Sequence, residues 1–566
     1  MALTARPPRA RIDLSALPFA AVGLLLVALV ALPLGWLLVV SFTGPRGFTL
    51  QNYVELATDS SMLKPLWITL WTSVCVAVAC VVLAVPMGWA VARTDMPLRR
   101  TIRLAVMASF VTPPFLGAIA WQLLAEPHSG FLNAFARSLF GPDVHPFNIY
   151  TTWGLVFVNV LYTFPYVFTL VANALERVPS EIEDAAAILG AGPLRTALGV
   201  TLPLILPSIL AGALVAFLQS VTVFGSAAII TLPAGFHTMT TRIWSLFQFP
   251  PKPGLAAAAS MPLILVTLAL LRAQVAILGR RGYAVVGGKG AHRTIARLGG
   301  WRWGALAFCA FVLLCALVLP YVALIDAAIV KIAPAWPTPA TLTWQHVGFV
   351  FGELDATPIA LRNTLILGLG AATIGTLLAT LVAFAASRDA VPGARFLGAV
   401  ANAPLAIPSI VLGVGIFFAY THPPLALFGT LWILLIAFVT IELPAAYQQL
   451  SAVAASIHPE LEEAGRILGA SRLRALADLV APLMRSGMIA TWCFVFIGAI
   501  REISAAILLF TAPTRTISTV IYDLNESGDT GSIAVLGLLL MGVTFAVLAL
   551  ANRVPVAATA SVEIRE

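Results

Sequence analysis

EIEDAAAILGAGPLR, residues 181–195, recurs as ELEEAGRILGASRLR, residues 460–474. The offset is 279 positions (460 − 181), and Glu181, Glu183, Ala185, Ile188, Leu189, Gly190, Ala191, Leu194 and Arg195 return as Glu460, Glu462, Ala464, Ile467, Leu468, Gly469, Ala470, Leu473 and Arg474. Pro203 returns as Pro482 and Pro165 as Pro444 at the same spacing. Weaker echoes at an offset of 295 (388 − 93) pair Arg93 with Arg388 and Thr69-Leu70 with Thr364-Leu365. Self-similarity at a fixed offset means two copies of one unit, and the change of offset places an indel inside each copy.

Each copy reads as a short helix, a glycine turn and a second short helix. Ser180 can cap the first helix, with Glu183 at the capping-box position. In the second copy Pro459 suits the first helical turn. Acidic residues crowd the positive end of each helix dipole. Gly190 and Gly469 fall where a left-handed residue ends a helix. Ala185 and Ala464 carry little bulk, so the wall of another protein can come close.

The surroundings are a membrane protein's. Of 566 residues, 60% are hydrophobic and 10% charged, with mean hydropathy +0.95; soluble domains carry about 25% charge. The net charge of +8 does not imply nucleic acid, since basic residues concentrate on the cytoplasmic side of membrane proteins. Twelve apolar stretches are long enough to span, starting near Leu17, Trp67, Leu104, Trp153, Pro203, Leu255, Trp303, Leu361, Phe396, Leu425, Leu483 and Ser532. With the N-terminus in the cytoplasm, 24 of the 33 Lys and Arg fall in cytoplasmic segments, which favours that orientation. The first run follows Arg6, Arg9 and Arg11 and is too long for a cleaved signal, so it reads as an uncleaved span. Cys75, Cys80, Cys309, Cys315 and Cys493 all sit in apolar runs and read as helix-packing residues.

These features divide the chain into a first six-span half, 1–279, a basic, Gly-rich cytoplasmic linker, 280–301, and a second half, 302–566. A phosphate-binding loop ending at Lys289 fails, because Tyr283 and Gly290 stand where Gly and Ser or Thr are required. The expectation is an all-α integral membrane protein of two similar halves that binds no cofactor and is not itself an enzyme. The seven histidines are scattered and form no catalytic constellation.

The repeated stretch resembles the EAA loop of ABC-importer permeases. The first copy aligns as Asp184-Ala185-Ala186, Gly190, Val200, Leu202 and Pro203, the second as Glu463-Ala464-Gly465, Gly469, Leu479, Ala481 and Pro482. Asp184, Gly465, Val200, Leu479 and Ala481 depart from the pattern and leave its acidic-small-Gly-Pro skeleton intact. The resemblance implies a type I permease fold in a bacterial inner membrane. It also implies docking of two cytoplasmic ATP-binding subunits, which would use the ATP and Mg, and a periplasmic substrate-binding protein. The coupling residues would be Glu181, Glu183, Asp184, Ala185, Ala186, Gly190 and Pro203, with Glu460, Glu462, Glu463, Ala464, Gly465, Gly469 and Pro482. Fused double permeases of this length resemble the ferric-iron type, as do Thr112–Trp121 and Glu502–Leu509. Thiamine, polyamine and phosphonate importers are the alternatives. A secondary transporter is the remote one, since Arg93–Arg100 only faintly resembles a major-facilitator loop and lacks its glycines.

Three charges stand out within expected spans: Glu442, two residues before Pro444, and Arg501 with Glu502, about 24 Å along the helix from Arg485 at 1.5 Å per residue. Burying each in lipid costs at least ~2.5 kcal/mol, so they should face protein or water. Val223 and Thr163 occupy the matching places in the first half. Two readings stay open: an Arg501–Glu442 ion pair serving packing alone, or a lining of the transport route or its outer gate.

Overall fold

The computed structural model describes residues 17–279, 295–333, 337–388, 393–468 and 470–553. Gly469 and most of the linker, residues 280–294, lie outside the described residues. The fold is helical, with a single two-stranded turn at Thr43–Gly44 and Gly47–Phe48 among the described residues.

In the first half α1 spans Pro18–Ser41, α2 Ser60–Arg93, α3 Arg99–Val111, α4 Pro114–Ala125 and α5 Thr152–Arg177. The loop helix α6 follows at Ser180–Ile188, then α7 at Ala197–Thr222. Two short helices, α8 at Gly225–Thr231 and α9 at Met239–Ser245, precede α10 at Pro253–Ala276. The second half repeats this order. Its spans are α11 at Trp301–Ile329, α12 at Ala356–Ser387, α13 at Ala394–Ala406, α14 at Ser409–Tyr420 and α15 at Leu431–Ala455. The loop helix α16 is Glu460–Ile467, followed by α17 at Leu476–Ile500. Then come α18 at Ala506–Leu509, α19 at Ile517–Ser527 and α20 at Thr530–Leu550.

Ten of the twelve expected spans are uninterrupted, and two are not. The α3–α4 pair bends by 98° and the α13–α14 pair by 112°. Proline causes both breaks. It lacks the N–H that continues a helix and pushes the residue before it out of the helical region. Pro113 is extended at ψ 131° and Pro408 at ψ 138°.

The eleventh span also differs from expectation. Helix α17 ends at Ile500, so Arg501 and Glu502 lie in a break after the helix and not within it. A Glu502 carboxylate oxygen accepts the Ala505 N–H at 3.1 Å, a local bond that competes with continuing the helix. The first half breaks at the matching place, with Val223 extended after α7 at ψ 130°.

The halves exchange their first helices. Helix α1 packs on α14 of the second half and α11 on α4 of the first. The Tyr420 hydroxyl donates to Ala28 O at 2.6 Å and the Trp121 indole N–H to Cys315 O at 3.3 Å. The weak echo at offset 295 becomes a structural one. Thr69 Oγ1 accepts the N–H of Met239, which opens α9, and Thr364 Oγ1 accepts that of Ile517, which opens α19. The cysteines are all free, with Cys75 half-buried and the other four buried, as helix-packing residues would be.

Candidate functional site

Two features stand out: a pair of loop helices at one end of the bundle, and a cavity between the halves that opens toward that end.

The first loop helix ends as Gly190 foretells. Gly190 has φ +82°, the Ala191 N–H reaches Ala186 O at 3.0 Å, and the Leu189 N–H reaches Ala185 O. The long bond from the residue after the glycine is the Schellman closure. In the second copy Ala470 N–H bonds Gly465 O at 3.1 Å in the same way. Glu181, Asp184, Ala185, Gly190 and Pro203 are exposed, as are Glu460, Glu463, Ala464 and Pro482, while Ala186 and Gly465 are half-buried.

Glu183 and Glu462 turn inward instead. Glu183 lies 3.4 Å from the buried Arg93 and accepts a bond from Thr201 Oγ1 at 2.7 Å. Glu462 lies 3.5 Å from Arg388, with both side chains below one-tenth exposed. What sequence reading did not single out is the tip. Ile188 and Leu189 are 86% and 88% exposed, and Ile467 and Leu468 match them at 86% and 88%. Their only signal was that the Ile-Leu pair recurs.

Two departures from the motif compensate each other. Ala186 and Val200 of the first copy become Gly465 and Leu479 in the second. A Cβ on Gly465 would come within 2.5 Å of Leu479 Cδ1, so the larger leucine fills the space the missing methyl leaves. We expect Gly465→Ala to loosen the second loop helix by about 1 kcal/mol, a mild overpacking cost because the leucine tip can turn. Adding Leu479→Val should restore it. Proteolysis rates at the loop in the full-length protein read the difference, and equal rates in all three proteins would contradict the pairing.

The cavity has a volume of about 1040 Å³. Its inner end is formed by the two helix breaks, where Val223 and Gly225 face Glu502, Ile503 and Ser504. It runs toward the loop-helix end, where Gln274 and Gln448 line it. The structure brings Glu442, Arg501 and Glu502 together on its wall with Tyr166 and Gln219. Gln219 Nε2 donates to the Tyr166 hydroxyl at 2.7 Å. The Glu442 carboxylate occupies the space where a Cβ on Gly498 would be, 2.2 Å from its Oε1. The Arg501–Glu442 ion pair considered from sequence is not formed among the described residues. Arg501 Nη1 donates instead to Phe110 O at 3.2 Å and Val111 O at 3.5 Å, at the C-terminal end of α3. Cations suit that end of a helix dipole, where carbonyls lack partners.

A broken, interlocked double bundle with two loop helices below a shared cavity has the form of a transport protein's membrane part. The family described as the binding-protein-dependent transport system inner membrane component matches residues 84–282 and again 371–555. Those two stretches cover more than half of the chain, and this multi-pass inner-membrane protein belongs to that family. Within it, the chain is 26% identical to a ferric transport system permease protein FbpB of Actinobacillus pleuropneumoniae, over 77% of this chain and 63% of that one. It is 26% identical to a putative ferric transport system permease protein FbpB 1 of Haemophilus influenzae, over 83% and 73%. A probable ABC transporter permease protein y4fN of Sinorhizobium fredii is also 26% identical, over 89% of this chain and 90% of its own length. The chain thus spans just under two thirds of the length of the first of these relatives.

Proposed function

We infer that this chain supplies both halves of the membrane pathway of an ATP-driven importer, taking up ferric iron delivered by a periplasmic binding protein. The observation that carries this is the pairing of two equivalent loop helices, each tipped with an exposed Ile-Leu pair, below one cavity shared by the halves. Exposed apolar pairs repeated on two equivalent loop helices suit protein contacts, and two of them suit two copies of a cytoplasmic ATP-binding subunit. That subunit supplies the hydrolysis, since the chain has no phosphate-binding loop sequence. The basic bias of the loops supports an N-terminus in the cytoplasm. Iron is favoured by the ferric permeases among the similar proteins, and the carboxylates of Glu442 and Glu502 on the cavity wall suit a cationic cargo. Phosphonate or molybdate import is the second reading, because permeases named for those substrates are similar over 38% of the chain.

Native mass spectrometry of the purified complex should show one permease chain with two ATP-binding subunits, and a 2:2 complex would contradict the reading. A deletion strain should lose uptake of iron supplied in ferric form. Normal iron uptake with lost phosphonate or molybdate uptake would replace the cargo and keep the importer.

A further inference from the structure

Arg93 closes α2 with its side chain 2% exposed. Its Nη2 donates to Val178 O at 2.5 Å, and its Nη1 lies 3.4 Å from Glu183 Oε2. Arg388 directly follows α12. Its Nη2 donates to Ile457 O at 2.7 Å, and its Nε lies 3.5 Å from Glu462 Oε2. Val178 and Ile457 are themselves 279 positions apart (457 − 178), as are Glu183 and Glu462. The same guanidinium therefore grips the same carbonyl and the same carboxylate in both halves. The carbonyl belongs to the hinge between α5 or α15 and its loop helix, and the carboxylate to the loop helix's first turn.

This is an expensive arrangement to keep twice. A carboxylate beside a buried guanidinium offsets part of the cost of burying it, and the planar fork fixes two acceptors relative to each other, which a point charge does less well. The fork here sets both where the loop helix begins and how it points. Without it each loop helix would lose this tie beyond the spans before and after it. With it, the helix is also fastened to α2 or α12, the longest helices at 34 and 32 residues. The first half adds Thr201, at the start of α7, which donates to Glu183; Val480 stands at the matching place in the second half. The chain entering the second half is tied to the same spot. Ala296 N–H donates to Arg93 O at 2.8 Å and Leu298 N–H to Asp95 Oδ1 at 2.9 Å.

We propose that Arg93 and Arg388 are positioning residues that lock each loop helix to the long helix of its own half, so that a push on the loop helix moves α2 and α12 together with α7 and α17. The proposal rests on reading the loop helices as docking elements for ATP-binding subunits. It accounts for Glu183 and Glu462 facing inward while their neighbours Asp184 and Glu463 face out.

Two measurements test it. The first uses the full chain alone in nanodiscs, with nitroxides at Val82 of α2 and Ala185 of α6, both exposed. The wild type should give one narrow distance distribution, Arg93→Gln a distribution at least twofold broader, and Arg93→Lys an intermediate one. An unchanged distribution in Arg93→Gln overturns the proposal. The second uses proteoliposomes of the complex with its ATP-binding subunits, given iron-loaded binding protein. Arg93→Gln with Arg388→Gln should keep ATP hydrolysis within about threefold of wild type while iron moved per ATP falls at least tenfold. The paired Lys variants should recover most of that ratio. An undiminished ratio in the double Gln variant overturns the proposal. So does loss of the ATP-binding subunits from the Gln variant that the Lys variant fails to reverse. A wild-type chain that holds no ATP-binding subunits would sink the docking reading instead, and the distance measurement would still decide whether the arginines fix the helix.

Discussion

Gly117→Ala is expected to yield little folded protein, with a cost of about 3 kcal/mol, the upper end for an overpacked core site. Gly117 lies on α4, against α5. A Cβ there would come within 2.0 Å of Tyr162 Cε2, 2.1 Å of Cζ and 2.4 Å of the hydroxyl oxygen. No side-chain tip can step aside, because the obstacle is an aromatic ring 3% exposed. Moving the ring would push α5 away from the broken α3–α4 pair, on which Arg501 depends for its two carbonyl partners. Fluorescence-detected size exclusion and heat-induced aggregation should both show the loss. Gly542→Ala in α20 is the control, since nothing lies within 4 Å of its added methyl and helix propensity favours alanine. Adding Tyr162→Leu should recover part of the loss by removing the ring. Wild-type behaviour of Gly117→Ala would mean that α4 and α5 do not meet face to face.

The architecture was largely legible because its signals are local or repeated. Apolar length marks spans whatever they pack against, and the recurrence of the Glu181 and Glu460 stretches fixed two halves. The breaks were not legible, for two different reasons. At Pro113 and Pro404–Pro408 the prolines were visible, but apolar sequence continues on both sides and hydropathy cannot tell a bent pair from a straight helix. At Arg501–Ser504, and at the matching Val223–Phe224 of the first half, no proline marks the break, so the sequence does not reveal it. The exchange of α1 and α11 between halves was invisible, since no periodicity encodes which unit a span packs on. The arginine clamp left only a faint trace. Arg93 and Arg388 matched each other at a different offset from Glu183 and Glu462, so nothing in the sequence joined the two echoes.

The remaining expectation concerns the cavity wall. Under the importer reading proposed above, Glu442→Gln and Glu502→Gln should each lower iron transport about tenfold, equivalent to ~1.4 kcal/mol, while leaving assembly with ATP-binding subunits intact. The substitutions isolate charge from shape. Glutamine keeps an oxygen that can accept the Ala505 N–H, so the break after α17 survives. At position 442 the side chain sits in the space left by Gly498, and an amide of equal size fits there. Gly498→Ala, by contrast, should displace the Glu442 carboxylate and lower transport without removing a charge. Arg501 is a poor place to test the route, because its bonds to Phe110 O and Val111 O join the halves and their loss would destabilise both. Accessibility supplies the second arm. With the five native cysteines replaced, Glu502→Cys should react with a small aqueous thiol reagent at rates that differ between nucleotide-free and ATP-bound complexes. The cavity reaches Glu502 from the loop-helix end, and in the proposed importer alternation of access would change that exposure. Full transport by both Gln variants, together with no labelling in either state, would leave these carboxylates a packing role only.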